Sequence, residues 1–241
     1  MSKKIHRFIT EYKKSGNHIE IVDPEIVHQI KDVIKLRHGE ECIVTTDDNI
    51  EYTCSIEETD KKRIILNIVS HTINEIEPNK KVHLYLSILK GEHFELVLQK
   101  ASEMGIYQIT PVITDRTVKT KLNYERLHRI AREASELSGR SQITIINEIS
   151  EYNDVIKNDT NQNKILFDIT GHPLSGISTY TRSDLIEKIE KEVSIYIGPE
   201  GGFIDTEIQL AKDNNVDVCN LGKLTLRGET AGIIACYLAL N

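Results

Sequence analysis

Much of the chemistry that a chain of 241 residues can carry is missing from this one. No G-x-G-x-x-G follows an apolar run, so a Rossmann dinucleotide site is not expected. There is no P-loop and no G-x-S-x-G nucleophile turn. Nine histidines and four cysteines include neither H-E-x-x-H nor a paired Cys/His spacing, which removes the common zinc sites. Cys42, Cys54, Cys219 and Cys236 are scattered, with no C-x-x-C, and read as reduced core residues. The first residues, Met1 to Arg7, are charged and lack the apolar run of a signal peptide. The longest apolar stretch, near Gly232 to Leu240, is too short to cross a bilayer. A cytoplasmic protein with no metal and no membrane partner is expected.

The composition, 39% hydrophobic and 28% charged, is that of a globular chain able to bury a core. Its net charge of −7 argues against a nucleic-acid partner only as an average. Residues 1–18 hold Lys3, Lys4, Arg7, Lys13 and Lys14 against Glu11 alone. Residues 115–140 hold Arg116, Lys119, Lys121, Arg126, Arg129, Arg132 and Arg140 against four acids. Two basic islands in an acidic chain suit phosphate contacts, and they suit solvated faces equally well.

Up to residue 70 the pattern is of short extended segments, His18–Val22, Glu41–Thr46, Glu51–Ile56 and Arg63–Val69, with one helix from Pro24 to Ile34. A small β-barrel is expected for residues 1–72, followed by a polar linker, Asn74 to Lys81. Residues 73–241 alternate strands with helices, which implies an α/β domain with a mostly parallel sheet covered on both faces. Asn123 is placed to cap a helix with the apolar face Leu127, Ile130, Ala134 and Leu137, and Gly139 to end it. Thr170 to Asp184 is polar and reads as a surface loop, and Asp168 as a strand end before a turn.

Two motifs stand out near the C-terminus. The strand Val193–Ile197 runs into Gly198-Pro199-Glu200-Gly201-Gly202, and Val216–Leu221 runs into Gly222, Leu224, Leu226, Arg227, Gly228, Glu229, Thr230 and Ala231. Ligands of open α/β sheets bind outside the carboxyl ends of strands, and glycines there let the main chain approach them. The exposed backbone suits an adenine or a ribose better than a pyrophosphate. Thr230 fits the dull role of a helix cap. Arg227 does not, because a cation is disfavoured at the positive end of a helix. It calls for an anion: Glu229, Glu200 or a substrate.

On these residues the chain resembles the RsmE-type methyltransferases of the SPOUT class. The likeness runs from Arg7-Phe8 and the His28 to Gly39 segment through Lys90-Gly91-Glu92, Gln99-Lys100, Glu103-Met104-Gly105, Ile109-Thr110-Pro111 and Arg116. It continues through Glu133–Glu136 and Ser138-Gly139-Arg140 to Ile197–Gly202 and Leu226–Ala231, the family's most specific blocks. Departures are Lys35 for the usual arginine, Leu137 for glutamine, Asp48-Asn49 for a glycine turn, and Ile204 for a helix-capping serine whose task Asp205 is placed to assume. The resemblance implies a PUA-like β-barrel, a knotted α/β domain, a homodimer, and methylation by S-adenosylmethionine of uridine N3 in 16S ribosomal RNA of the small subunit. It implies a cofactor site at Gly198, Pro199, Gly201, Gly202, Leu221, Gly222, Leu224, Leu226, Thr230 and Ala231. Arg227, Glu200 and Glu229 would be catalytic, and Arg7, Lys13, Lys14, Lys35, Arg116 and Arg140 would contact RNA. The rivals are a knotted enzyme acting on ribose 2′-OH or transfer RNA, and a catalytically silent RNA-binding module.

Overall fold

A computed structural model describes residues 5–46, 48–173 and 191–241. Lys3 and Lys4 of the first basic island, and residues 174–184 of the expected surface loop, lie outside the described residues. The chain divides into two compact units: Met1–Glu77 with Ser135–Ile143, and Pro78–Ala134 with Thr144–Asn241.

The first unit is built on a six-stranded sheet of β1 (His6–Ile9), β2 (Lys13–Ser15), β3 (His18–Ile21), β4 (Glu41–Thr45), β5 (Ile50–Thr59) and β6 (Ile64–Ile73), in the order β1-β4-β5-β6-β3-β2. All pairs are antiparallel except β1 with β4. Alternate residues turn inward, as the period of two requires, and Phe8, Ile19, Ile21, Val44, Ile56, Ile64 and Leu66 form the core. Ile26, Val27 and Ile30 cover it from the one helical segment. The expected single helix is a short α-helix, α1 (Pro24–His28), continued by a π-helix over Gln29–Ile34. Asp23 caps α1 through the Glu25 N–H at 2.9 Å, and Lys35, at φ 60°, ends the π segment.

The stretch read as a linker is fastened. Asn74 donates from Nδ2 to the Gly139 carbonyl at 2.9 Å and also to Glu51. Glu77 accepts from Arg140 Nε at 3.0 Å and from the Ser141 and Gln142 N–H groups at 3.1 Å. Glu136 accepts from the Ile9 N–H at 2.9 Å. Residues 135–143 therefore join the first unit through buried polar contacts, which no hydrophobic period announces.

The second unit holds a parallel sheet of β7 (Lys81–Ser87), β8 (Gln108–Ile113), β9 (Ile145–Ile146), β10 (Ser150–Glu151), β11 (Lys164–Pro173), β12 (Glu192–Ile197) and β13 (Asp217–Asn220). The order is β10-β8-β7-β12-β11-β13, with β9 also on β8. Val193 to Ile197 are all buried, as a strand covered on both faces demands. Among the described residues its helices are α2 (His93–Met104), most of α3 (Tyr124–Ser138), α4 (Tyr152–Asn158), α5 (Asp205–Asp213) and α6 (Gly228–Leu240), with α2 packed on α6. Asn123 caps α3 by accepting from Arg126 N at 3.1 Å. Leu137 does not join the buried face and is 69% exposed. At α5 the capping falls to Glu207, which reaches back to the Ile204 N–H at 2.9 Å, rather than to Asp205.

The polar stretch from Thr170 is not a loop over its first residues, because β11 continues to Pro173 with a bulge between Phe167 and His172. That bulge presses β11 onto β13. A Cβ on Gly171 would lie 2.5 Å from the Cys219 carbonyl carbon, so only glycine fits. Asn220 Nδ2 donates to the Gly171 carbonyl at 2.6 Å.

Candidate functional site

The parallel strands β12, β11 and β13, the last at the sheet edge, deliver their carboxyl ends to one side of the sheet. A cavity of about 610 Å³ opens there, within the range of small-molecule sites. Ile197 to Phe203 form one wall, and Asn220 to Gly222 with Leu224 to Glu229 form another. The walls meet closely: a Cβ on Gly228 would stand 3.7 Å from the Gly198 carbonyl oxygen and 2.9 Å from Leu89 Cδ2.

Gly198, Pro199, Gly201, Gly202, Leu221, Gly222, Leu224, Leu226 and Ala231 all line this space, with Glu200, Arg227 and Glu229. Thr230 is absent from the lining, and the first turn of α6 carries no side-chain cap at Arg227. Gly202 sits at φ 70°, a left-handed conformation in which a larger residue is strained. The bend it makes turns the loop back on itself, with Gly202 N–H donating to the Pro199 carbonyl at 2.9 Å.

The charged groups differ sharply in their freedom. The Arg227 side chain is 83% exposed, and its nearest carboxylate, Glu229, is 3.9 Å away. Glu229 is only 12% exposed and is held by His93 Nδ1 at 3.2 Å. Glu200 is exposed and accepts the Lys90 N–H at 2.8 Å through Oε1. Its other oxygen has no recorded partner among the described residues. Arg116 does not line the cavity; it donates from Nη1 to the Gly201 carbonyl and steadies the glycine loop.

Two arginines assigned to RNA are differently employed. Arg7 forms a two-pronged pair with Glu51, its second nitrogen at 3.2 Å, and the side chains are 14% and 10% exposed. Arg140 is 5% exposed against Glu77. Burial lowers the Arg140 pKa, and Glu77 opposes that shift. Cations this deep in the protein satisfy carboxylates of their own unit and present little guanidinium to a phosphate. Lys13, Lys14 and Lys35 are exposed, with Lys14 Nζ 4.9 Å above the Tyr52 ring.

Sequence reasoning passed over Lys90, His93, Phe167, Asp168 and Asn220, which also line the cavity. In the sequence Asp168 reads as a plain strand end. Its Oδ1 accepts from the Thr170 N–H at 2.8 Å and hydroxyl at 2.7 Å, and Oδ2 would lie 3.6 Å from a Cβ on Gly202. The available signal was its place directly after Phe167, where β11 stops pairing with Val193–Ile197. The cavity combines apolar walls from Phe167, Leu221, Leu224 and Leu226 with three carboxylates, Asp168, Glu200 and Glu229. That donor set fits a nucleoside bearing a positive charge.

A family model described as an RNA methyltransferase domain matches residues 76–240, and one described as an RNA methyltransferase PUA domain matches residues 22–69. The ribosomal RNA small subunit methyltransferase E of Bacillus subtilis is 27% identical over 220 residues, 88% of this chain and 85% of that protein. A Legionella pneumophila methyltransferase solved with bound SAM superposes with a TM-score of 0.83 at 30% identity, over 97% of this chain and 95% of that one. The small subunit methyltransferase E of Neisseria gonorrhoeae, solved with S-adenosyl methionine, gives 0.86 at 25% identity, over 97% and 96%.

Proposed function

Because the chain belongs to the RNA methyltransferase family, we propose that it methylates N3 of a uridine in 16S ribosomal RNA of the small subunit, with S-adenosylmethionine as donor. One observation carries this reading: the two glycine-rich strand ends converge on one cavity that also presents Arg227, Glu200 and Glu229. The solved relatives with the same cofactor bound support it.

Bound S-adenosylmethionine supplies a methyl group already activated on a sulfonium. The residues of the chain must orient the acceptor and manage one proton. Backbone at Gly198–Gly202, Leu221, Gly222 and Leu226 would read the adenosine, and the carboxylates of the cavity would favour its positive end. In favourable cases orientation alone is worth about 7 kcal/mol or more of the barrier. As uracil N3 loses its proton, charge moves onto the flanking carbonyl oxygens. Arg227, exposed at the mouth, would hold them once an acceptor is bound; a donor fixed on such an oxygen contributes about 3 to 4 kcal/mol. Glu229 orients that guanidinium and is itself braced by His93. Glu200 is the better proton acceptor of the two, since a neutral N–H holds one oxygen and the other is open.

Three further features complete the proposal. The six strands of the first unit would close as a PUA-like barrel, supported by the PUA family match. The segment from β13 into α6 would thread the trefoil knot of the class, supported by its tight seat in the bulge of β11. A homodimer would cover α6, which is apolar around its circumference yet leaves Tyr237 54% exposed. No helix among the described residues is long and apolar enough to cross a membrane, and a ribosomal substrate places the enzyme in the cytoplasm.

The test is calorimetric titration with S-adenosylmethionine, followed by transfer of labelled methyl to small-subunit RNA and mapping of the modified base. Failure to bind the donor, or label on a ribose, would overturn the reading.

A further inference from the structure

A second cavity, of about 640 Å³, lies entirely within the first unit and has no part in the chemistry above. Three lysines stand around it: Lys31 from the π-helix, and Lys61 and Lys62 from the turn between β5 and β6. Among the described residues none of the three forms an ion pair, whereas the adjoining charges are engaged. Arg63, next in sequence, is held by Glu20 at 3.3 Å and Asp60 at 3.4 Å, with Glu58 at 3.8 Å. Asp32, the one carboxylate in the cavity wall, is taken by His28 Nδ1 at 2.9 Å.

The lysines are also presented on a fixed backbone. Asp60 Oδ1 accepts from Lys62 N at 2.6 Å and from Arg63 N at 3.0 Å, and Asp60 N–H donates to the Arg63 carbonyl at 3.0 Å. Three lysines around one concavity whose single carboxylate is already engaged give it a local positive charge that suits an anion from outside. The floor is apolar, from Val22, Pro24 and Val27, with Val22 48% exposed. A purely ionic site for a small anion has no use for such a floor, whereas a ribose or base carried between phosphates covers it.

We propose that this groove is an RNA-strand site of the first unit, in which Lys31, Lys61 and Lys62 hold backbone phosphates while a sugar or base rests on the Val22–Pro24–Val27 floor. The choice of RNA as the polyanion rests on the methyltransferase reading; the existence of an anion site does not. It adds a basic surface that neither sequence island contains, and it compensates for Arg7 and Arg140, which are engaged inside the unit.

The experiment uses the full chain and a fluorescein-labelled single-stranded RNA oligonucleotide, titrated at several salt concentrations from about 50 to 200 mM. Single-strand binding loses about 0.7 in log-log salt slope for each phosphate contact removed, so a triple Lys31→Gln, Lys61→Gln, Lys62→Gln variant should lose about 2. Its affinity should fall on the order of 10-fold or more. The triple arginine variant at the same positions should restore both slope and affinity. An unchanged slope in the glutamine variant, or equal weakening in both variants, would overturn the proposal. So would displacement of the RNA by a nucleoside monophosphate at micromolar concentration, which would make this a small-anion site; a monophosphate that fails to displace the strand supports the groove. S-Adenosylmethionine binding, measured in parallel on the same samples, judges the catalytic reading separately.

Discussion

Replacing Gly171 with alanine tests the packing on which the cofactor cavity depends. The new Cβ would lie 2.5, 2.7 and 2.8 Å from the carbonyl carbon, nitrogen and Cα of Cys219. Ordinary contact begins at 3.4 Å, so β11 and β13 must part by about 0.9 Å. All three atoms are main chain, and no side-chain rotation relieves the clash. Overpacking of this kind costs about 1–3 kcal/mol, and the immobile neighbours put it at the upper end. Stretching the bond from Asn220 to the Gly171 carbonyl, 2.6 Å long, costs about 1 kcal/mol more. A loss of about 4 kcal/mol lowers the melting temperature by roughly 8–16 °C for a chain of this size. Since β13 leads directly into Asn220, Leu221 and Gly222 of the cavity wall, the same shift misplaces the donor. A misplacement near 1 Å costs on the order of 100-fold in methyl transfer. Differential scanning calorimetry and a methyl-transfer assay read the two effects. A melting point within about 2 °C of the parent, with transfer unchanged, would refute the described approach of β11 to β13.

Arg227→Ser should lower kcat by about 10²–10³-fold while S-adenosylmethionine affinity, by calorimetry, stays within a few fold. Arg7→Ala should destabilise the first unit by about 3 kcal/mol in urea melts, because Glu51 is left buried without its main partner, yet should leave the salt slope of RNA binding unchanged. Burial pushes the Cys42, Cys54 and Cys219 thiols up to about 12 from an ordinary 9.0. Between those values the unfolded chain has lost protons that the native one keeps, so stability is complete below pH 9 and falls as pH rises towards 12, which thermal melts across that window will show. The buried thiols should also resist alkylation at neutral pH until urea opens the fold.

The strand and helix periods and the two glycine motifs were legible because each is local. Val193–Ile197 announces a doubly covered strand, and Gly198–Gly202 a bend at its end. What escaped notice depends on distant partners. Arg7 and Arg140 look like the other cations of their islands, and only Glu51 and Glu77, 44 and 63 residues away, turn them inward. The grouping of residues 135–143 with the first unit rests on Glu77, Asn49 and Asn74, polar residues that no period marks. Gly171 was hidden because a polar run resembles a loop, although here it continues a strand whose bulge requires glycine. Charge counting failed in both directions. It enlisted two engaged arginines and overlooked three unpaired lysines at positions 31, 61 and 62.

The position of Arg227 argues for function independently of any relative. Its φ of −67° and ψ of 154° are those of a helix N-cap, where serine or aspartate would bond the first free N–H groups and contribute about 1 kcal/mol. The chain instead places there a cation that the helix dipole disfavours by about 0.3–1 kcal/mol. No side-chain bond at that cap offsets the cost, and Glu229 at 3.9 Å with the guanidinium 83% exposed returns little. Arg227→Ser should therefore raise the melting temperature of the second unit in the same protein that has lost its activity. A residue that weakens its own helix at the mouth of a cavity is retained for what it does to a ligand. If the serine variant melts lower than the parent, Arg227 is a structural residue and its catalytic role loses this support.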